Sequence, residues 1–106
     1  MITVLNKRSS LSSPLPGTAR VYVGRPSPLG NPFPLHRESD RDLVVKQYRE
    51  WLRNECKAGG PAKAELLRLC ALAQAGDLEL VCWCAPKACH ADEILEAILA
   101  IGAAKP

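Results

Sequence analysis

Hydrophobic and polar positions along the chain form three short stretches that are typical of β-strands. The first is ITVLN at residues 2–6, and the second is ARVYVG at residues 19–24, where valines alternate with Tyr22. The third, LELVCWC at residues 78–84, has a long apolar end, which favours a buried and central position in a sheet. We therefore predict three strands, with the last one innermost.

Three other stretches place apolar residues at the spacing of an α-helix. The first helix is predicted to begin at Ser39 or Asp40. The second is predicted to begin at Pro61, a residue favoured in a first turn, and to end at Gly76, which suits a C-terminal cap. The third is EILEAILAI, near the end of the chain. The apolar side of the first helix consists of Val44, Tyr48, Trp51 and Leu52.

The predicted order of elements is β-β-α-α-β-α, within a single domain that spans residues 1–106. A buried strand that runs through a tight turn into a helix resembles half of a Rossmann-like unit. We therefore expect a small α/β, Rossmann-like domain with three layers. Ligands of open α/β sheets bind at the carboxyl ends of the strands. The loop RPSPLGNPFPLH (residues 25–36) and the turn APKACHAD (residues 85–92) are expected to lie together there.

Composition and charge narrow the class of protein. Hydrophobic residues make up 47% of the chain and charged residues 24%, near the averages for globular proteins. No apolar run approaches the roughly 20 residues that span a bilayer, and the N-terminus lacks the features of a secretory signal. We therefore expect a cytoplasmic protein with no membrane partner. The net charge of +3 comes from scattered basic residues, so direct nucleic-acid binding is the weakest interpretation.

The loop at residues 25–36 carries four prolines, which exclude a helix or a central strand. Loops of this length in compact domains are often functional. Arg25, Ser27 and Asn31 supply polar side chains, and Gly30 allows a close approach of the backbone. A stiff loop with a guanidinium group and backbone amides can hold an anion or a nucleotide. The alternative is a proline-rich surface connection with a solvated arginine.

Three of the five cysteines and one of the two histidines lie within VCWCAPKACH, at residues 81–90. A reducing compartment favours metal binding, catalysis or burial over disulfides. Cys82, Cys84, Cys89 and His90 provide the four ligand atoms of a tetrahedral zinc site, although their close spacing makes a closed site difficult to form. Alternatively, Cys82 is a small core residue on a buried strand. We interpret Cys56 and Cys70 as core residues as well.

A third interpretation makes Cys89 reactive. The predicted start of the last helix falls at Cys89 and His90, where exposed amides and the helix dipole lower the pKa of a thiol. Lys87 and a cationic His90 would add to this effect. If the protein is an enzyme, Cys89 is the candidate nucleophile and His90 the candidate general acid–base. Asp92 either compensates the helix dipole or orients His90.

The motifs VYVGRPSPLGNPF and LVCWCAPKACHAD, with a tyrosine–tryptophan helix between them, resemble an uncharacterised family of small phage and bacterial proteins, domain of unknown function 4326. The resemblance covers nearly the whole chain, from Asn6 and Arg8 to the last helix. It departs from the family at Ala91, where glycine is usual. The resemblance implies no activity, but it implies that the two polar motifs belong together. The family pattern carries onto Gly24, Arg25, Pro26, Ser27, Leu29, Gly30, Asn31, Pro32, Phe33, Cys82, Cys84, Pro86, Cys89, His90 and Asp92.

The leading hypothesis is a pocket for a nucleotide or a related phosphorylated small molecule, between the proline-rich loop and the cysteine turn. The second hypothesis is a zinc-stabilised protein that binds a host or partner protein through the same loop. Zinc is then the cofactor, and the cysteines are part of the scaffold. The residues assigned to the ligand pocket are Arg8, Arg25, Ser27, Gly30, Asn31, Cys84 and Asp92.

Overall fold

The structure, a computed structural model, describes residues 1–7, 13–83 and 90–104. Its strands are β1 (Ile2–Asn6), β2 (Thr18–Tyr22) and β3 (Asp77–Cys82). Its helices are α1 (Arg41–Ala58), α2 (Pro61–Ala75) and α3 (His90–Ala104), and a short 3-10 helix, Glu38–Asp40, precedes α1. The predicted order β-β-α-α-β-α is confirmed. In the described part of the chain, no helix combines the length and apolar character needed to cross a membrane.

The three strands form one parallel sheet in the order β1-β3-β2. Leu80 of β3 is paired with Val4 on one side and with Val21 on the other. The prediction of a central third strand is therefore confirmed. Because all three strands run in the same direction, their carboxyl ends meet at one edge of the sheet, which we call the carboxyl edge.

The core lies between one face of this sheet and the helices. Alternate residues of β3, namely Leu78, Leu80 and Cys82, are buried in a single cluster with residues of all three helices. On the opposite face, Glu79 of β3 accepts a hydrogen bond from Arg20 of β2 at 2.8 Å. The alternation of apolar and polar residues thus gives the sheet one face suited to helix packing.

The prediction of three layers is wrong for the described residues, which form two. All three helices contact one another, and their buried residues belong to the same cluster on one sheet face. The reason lies in the connection of two glycines between α1 and α2, where Gly59 adopts a left-handed conformation (φ 77°). Such a short connection makes consecutive helices antiparallel neighbours, so both lie on the same side of the sheet.

The chain enters β3 through a close backbone contact. The amide of Gly76 donates to the carbonyl of Leu72 at 3.2 Å, as expected for the predicted helix end. A Cβ atom at Gly76 would overlap the carbonyl oxygen of Gly17. That oxygen also accepts a hydrogen bond from the amide of Asp77 at 3.2 Å. Only glycine fits at this position without displacing the backbone before β2.

Candidate ligand site at the carboxyl edge of the sheet

The carboxyl edge gathers the segments that the sequence singled out. Lys7 follows β1, the loop that begins at Val23 follows β2, and Trp83 follows β3. Helix α3 begins at His90, close to the same edge, since the His90 ring contacts the backbone of Val23. The parallel sheet therefore brings the proline-rich loop and the start of α3 together.

The first half of the proline-rich loop is built from two successive turns. The amide of Ser27 donates to the carbonyl of Gly24 at 2.8 Å, and the amide of Gly30 donates to the carbonyl of Ser27 at 2.9 Å. The hydroxyl oxygen of Ser27 accepts a hydrogen bond from the amide of Leu29 at 3.2 Å. Asn31 acts similarly, because its Oδ1 accepts from the amide of Phe33 at 2.8 Å. These two predicted ligand residues thus stabilise the loop itself.

Gly30 allows the loop to fold back against its own start. A Cβ atom at this position would lie 2.9 Å from Cα and 3.0 Å from the backbone nitrogen of Arg25. The peptide bond between Arg25 and Pro26 is cis. The close backbone approach predicted for Gly30 is present, and it fixes the backbone from which the Arg25 side chain leaves.

The buried side chains of Tyr48 and His90 hold this loop against the helices. Leu29 is fully buried, and its carbonyl oxygen accepts a hydrogen bond from the hydroxyl of Tyr48 in α1 at 2.7 Å. His90 Nε2 lies 2.8 Å from the carbonyl oxygen of Val23. The rings of Tyr48 and His90 meet edge to face, with their centroids 5.1 Å apart. A pair of contacting rings from α1 and α3 therefore anchors both ends of the first half of the loop.

The chemistry of His90 follows from its burial. Burial lowers the pKa of the imidazole below 6.5, and the hydrogen bond to Val23 opposes this shift. The charge of Arg25 lowers the pKa further, whereas that of Asp92 raises it. A neutral ring that contacts a carbonyl through Nε2 carries its proton on Nε2. The cationic His90 that we expected beside Cys89 is therefore not what the structure favours.

Arg25 and Asp92 lie close enough to His90 to influence its charge. Arg25 is exposed, whereas Asp92 is half-buried in the first turn of α3. One predicted cation and one predicted anion of the site are thus found near the start of α3. Guanidinium groups and helix amides both favour negatively charged ligands.

A second group of side chains at this edge was missed by the sequence interpretation. We call Lys7, Tyr22 and Trp83 the aromatic cluster. Trp83 Nε1 donates to the hydroxyl oxygen of Tyr22 at 3.1 Å, and the Lys7 ammonium lies 4.4 Å from the Tyr22 ring centroid and 5.5 Å from that of Trp83. The sequence signal that could have identified this cluster is the alternation of side chains along a strand. The alternation that buries Cys82 directs Trp83 to the opposite face of the sheet.

The cysteine predictions have separate outcomes. Cys82 and Cys70 are 1% and 4% exposed, and both belong to the core cluster. The core position predicted for Cys70 is thus confirmed, whereas the choice between core residue and zinc ligand for Cys82 stays a prediction. Cys56 is only half-buried and packs against the core. Arg8, Cys84 and Cys89 lie outside the described residues, as does Lys87. Within the described ranges, no group of three or more His, Cys, Asp or Glu residues is placed to hold a metal ion. The four-ligand zinc site stays a prediction.

Comparison with known proteins identifies the family. The family model described as Domain of unknown function (DUF4326) matches residues 5–100, nearly the whole chain. The chain belongs to this family. The resemblance noted from its two motifs is thus confirmed. The match includes the proline-rich loop and the start of α3, so both sides of the candidate site lie within the DUF4326 domain. No curated protein and no solved structure matches the chain significantly.

The DUF4326 domain also has a groove of about 690 Å³ between α1 and α3. Arg49 and Glu93 form a bidentate ion pair at one end of it, with distances of 2.8 and 2.9 Å. Its floor is apolar, and Cys56 lies along its wall, where burial raises the pKa of the thiol. Among the predicted ligand residues that the structure describes, none lines this groove. We therefore place the candidate site at the carboxyl edge.

Proposed function

We propose that this DUF4326 domain binds a phosphorylated small molecule of the nucleotide type at the carboxyl edge of its sheet. The observation that carries the proposal is the position of Arg25. Its backbone packs against Gly30 and accepts a hydrogen bond from the Tyr22 hydroxyl at 3.1 Å. His90, the first residue of α3, lies 2.8 Å from the carbonyl oxygen of Val23, two residues before Arg25. A guanidinium group beside a helix start, on a rigid loop, forms a preorganised anion site.

Polar groups around Arg25 suit the rest of such a ligand. Lys7 supplies a second cation at the same edge. Asp92 is half-buried in the first turn of α3, and in this proposal its carboxylate accepts hydrogen bonds from sugar hydroxyls. Ser27 and Asn31 contribute by accepting hydrogen bonds from amides of the loop. Gly30 contributes because, without a Cβ atom, it lets the loop pack against the backbone of Arg25. In this proposal, Arg8 and Cys84 complete the pocket, as predicted from the sequence.

The proposal requires binding but no reaction. Should the domain be an enzyme, Cys89 remains the nucleophile and His90 the group that transfers a proton. The contact of Nε2 with the carbonyl of Val23 commits the Nε2 proton to a structural hydrogen bond. Proton transfer by His90 would then involve Nδ1. The Rossmann-like character of the fold, the phage or bacterial origin and the cytoplasmic location are further parts of the proposal.

The test is binding of nucleoside monophosphates and inorganic phosphate, measured by isothermal titration calorimetry. Arg25→Gln should weaken the binding of both by at least about tenfold, because a charge-assisted bond is worth about 1.5–3 kcal/mol. Arg53→Gln is the matched control, since Arg53 is exposed on α1 and lines the groove instead. Equal affinities for wild-type protein and Arg25→Gln would refute the proposed role of the loop.

The zinc-stabilised interaction protein is separated from this proposal by mass spectrometry. The native mass of the purified protein is compared with its denatured mass. An excess equal to one zinc ion, lost together with the fold on chelation, would favour the second hypothesis and a protein partner. An excess of nucleotide size would support the ligand pocket and identify the class of ligand.

A further inference from the structure

We infer that the aromatic cluster of Lys7, Tyr22 and Trp83 is the subsite for the planar base of the ligand. This inference rests on the proposed function and narrows the class of ligand. The ligand would be a nucleoside phosphate rather than a sugar phosphate or a free phosphate. Three observations support it, namely the exposure of Trp83, its fixed orientation and its link to Arg25.

Trp83 is large, apolar and 53% exposed, although it directly follows the most buried strand of the domain. An exposed indole presents aromatic surface on which a planar base can stack. The other tryptophan, Trp51, is instead half-buried and packs against the core beside Tyr48. The two tryptophans of the chain thus have different environments.

The indole of Trp83 is held in a defined orientation. Its Nε1 donates to the hydroxyl oxygen of Tyr22, and its backbone carbonyl accepts a hydrogen bond from Asn6 Nδ2, both at 3.1 Å. One bond restrains the ring and the other restrains the backbone, so little conformational entropy is lost when a base stacks on it. Base stacking requires an aromatic ring whose face is accessible to the base.

Lys7 has two roles in this arrangement. Its exposed ammonium group lies over the ring of Tyr22 and near that of Trp83, and a cation–π attraction of this kind at an exposed site is weak. A base can displace this group from the rings at low cost. The displaced ammonium then remains at the same edge as a partner for the phosphate.

One oxygen atom, the hydroxyl oxygen of Tyr22, connects the stacking subsite to the backbone of the anion site. The hydroxyl of Tyr22 accepts the hydrogen bond from Trp83 Nε1 and donates to the carbonyl of Arg25, at 3.1 Å in each case. The indole edge and the backbone of Arg25 are therefore both hydrogen-bonded to the same oxygen. A nucleotide carries a base and a phosphate on one sugar, and this juxtaposition offers an aromatic platform beside a guanidinium group.

The inference is tested with AMP, GMP, CMP and UMP, each compared with ribose 5-phosphate. In Trp51→Phe, fluorescence comes from Trp83 alone, and at least one nucleotide should quench it saturably. In Trp83→Phe, the remaining Trp51 should not respond. Trp83→Ala should weaken binding of that nucleotide by about 5- to 100-fold. Binding of ribose 5-phosphate should weaken by a clearly smaller factor, through loss of the hydrogen bond from Trp83 to Tyr22 alone. Should Trp51→Phe fail to fold, fluorine NMR of wild-type protein labelled with 5-fluorotryptophan gives the same readout.

The outcomes separate this inference from the proposed function. If ribose 5-phosphate binds as tightly as every nucleotide and the Trp83 signal stays constant, the stacking subsite is refuted and the anion site remains. If neither class of compound binds, both proposals fail. A saturable Trp83 response to a nucleotide, lost in Trp83→Ala but not copied by ribose 5-phosphate, supports the subsite.

Discussion

Removing a single hydroxyl group, in Tyr48→Phe, should show how firmly the proline-rich loop is anchored. The Tyr48 side chain is fully buried, and its hydroxyl donates to the carbonyl oxygen of the equally buried Leu29 at 2.7 Å. Phenylalanine fills nearly the same volume, so no cavity opens, but the Leu29 carbonyl loses a buried donor. Such a loss costs about 1–3 kcal/mol of unfolding free energy. For a domain of this size, about 2 kcal/mol lowers Tm by roughly 10 °C.

The assay is urea unfolding followed by circular dichroism, with the slope of the transition compared between variants. Tyr22→Phe is the control, because its hydroxyl also donates to a loop carbonyl, that of Arg25, and accepts from Trp83 Nε1. Both bonds lie at an exposed site and measure 3.1 Å. We expect this control to lose no more than about 0.5 kcal/mol. Equal losses in the two variants would refute the reasoning, because the Leu29 carbonyl would then be satisfied without Tyr48.

Three further predictions concern other parts of the fold. Because burial keeps His90 neutral in the folded protein, the free energy of unfolding should decrease as pH falls from about 6.5 through the lowered pKa, by up to about 1.4 kcal/mol per pH unit. His90→Gln keeps a hydrogen-bond donor but does not titrate. In urea unfolding at several pH values, its free energy of unfolding should therefore vary less with pH than that of wild-type protein. Parallel pH profiles for the two proteins would contradict the neutral state assigned to His90. Arg49→Met leaves the buried Glu93 carboxylate without its bidentate partner, so it should destabilise the protein more than the double variant Arg49→Met/Glu93→Leu does. A double variant that is no more stable than the single one in the same urea assay would argue against this. Gly76→Ala should cost about 1–3 kcal/mol by overlap with a backbone carbonyl, whereas Gly102→Ala, which meets open space in a helix, should be neutral or stabilising by up to about 1 kcal/mol. Thermal unfolding compares the two, and an unaffected Gly76→Ala would show that the opposing carbonyl moves aside.

The sequence predicted the elements of the fold well because their signals are local. Period and composition alone predicted a central strand at residues 78–84, where the structure has Asp77–Cys82, and they placed the ends of α2 at Pro61 and Gly76. The prolines and Gly30 likewise marked a rigid loop with a close backbone contact. These features depend on neighbouring residues in the chain, which a single sequence displays directly.

The arrangement of layers and the contacts of the site depend on residues far apart in the chain. The hydrogen bond from Tyr48 to Leu29 joins residues that the sequence assigned separately to helix packing and to a loop. The aromatic cluster joins Lys7, Tyr22 and Trp83 from the ends of three different strands. Neither contact follows from periodicity, because each joins segments that are far apart in the chain. The apolar pattern indicated that β3 is central, but it did not indicate which side chains meet beyond the ends of the strands.

The position of β3 between the two other strands has a consequence for the synthesis of the protein. β1 and β2 both lie within residues 1–22, but within the described ranges each pairs with β3 alone, which begins at residue 77. A nascent chain on the ribosome can therefore form its first two helices while both early strands still lack their common partner. The sheet assembles late, when residues 77–82 emerge and insert between β1 and β2. Until then, the apolar side chains of both strands are candidates for chaperone binding.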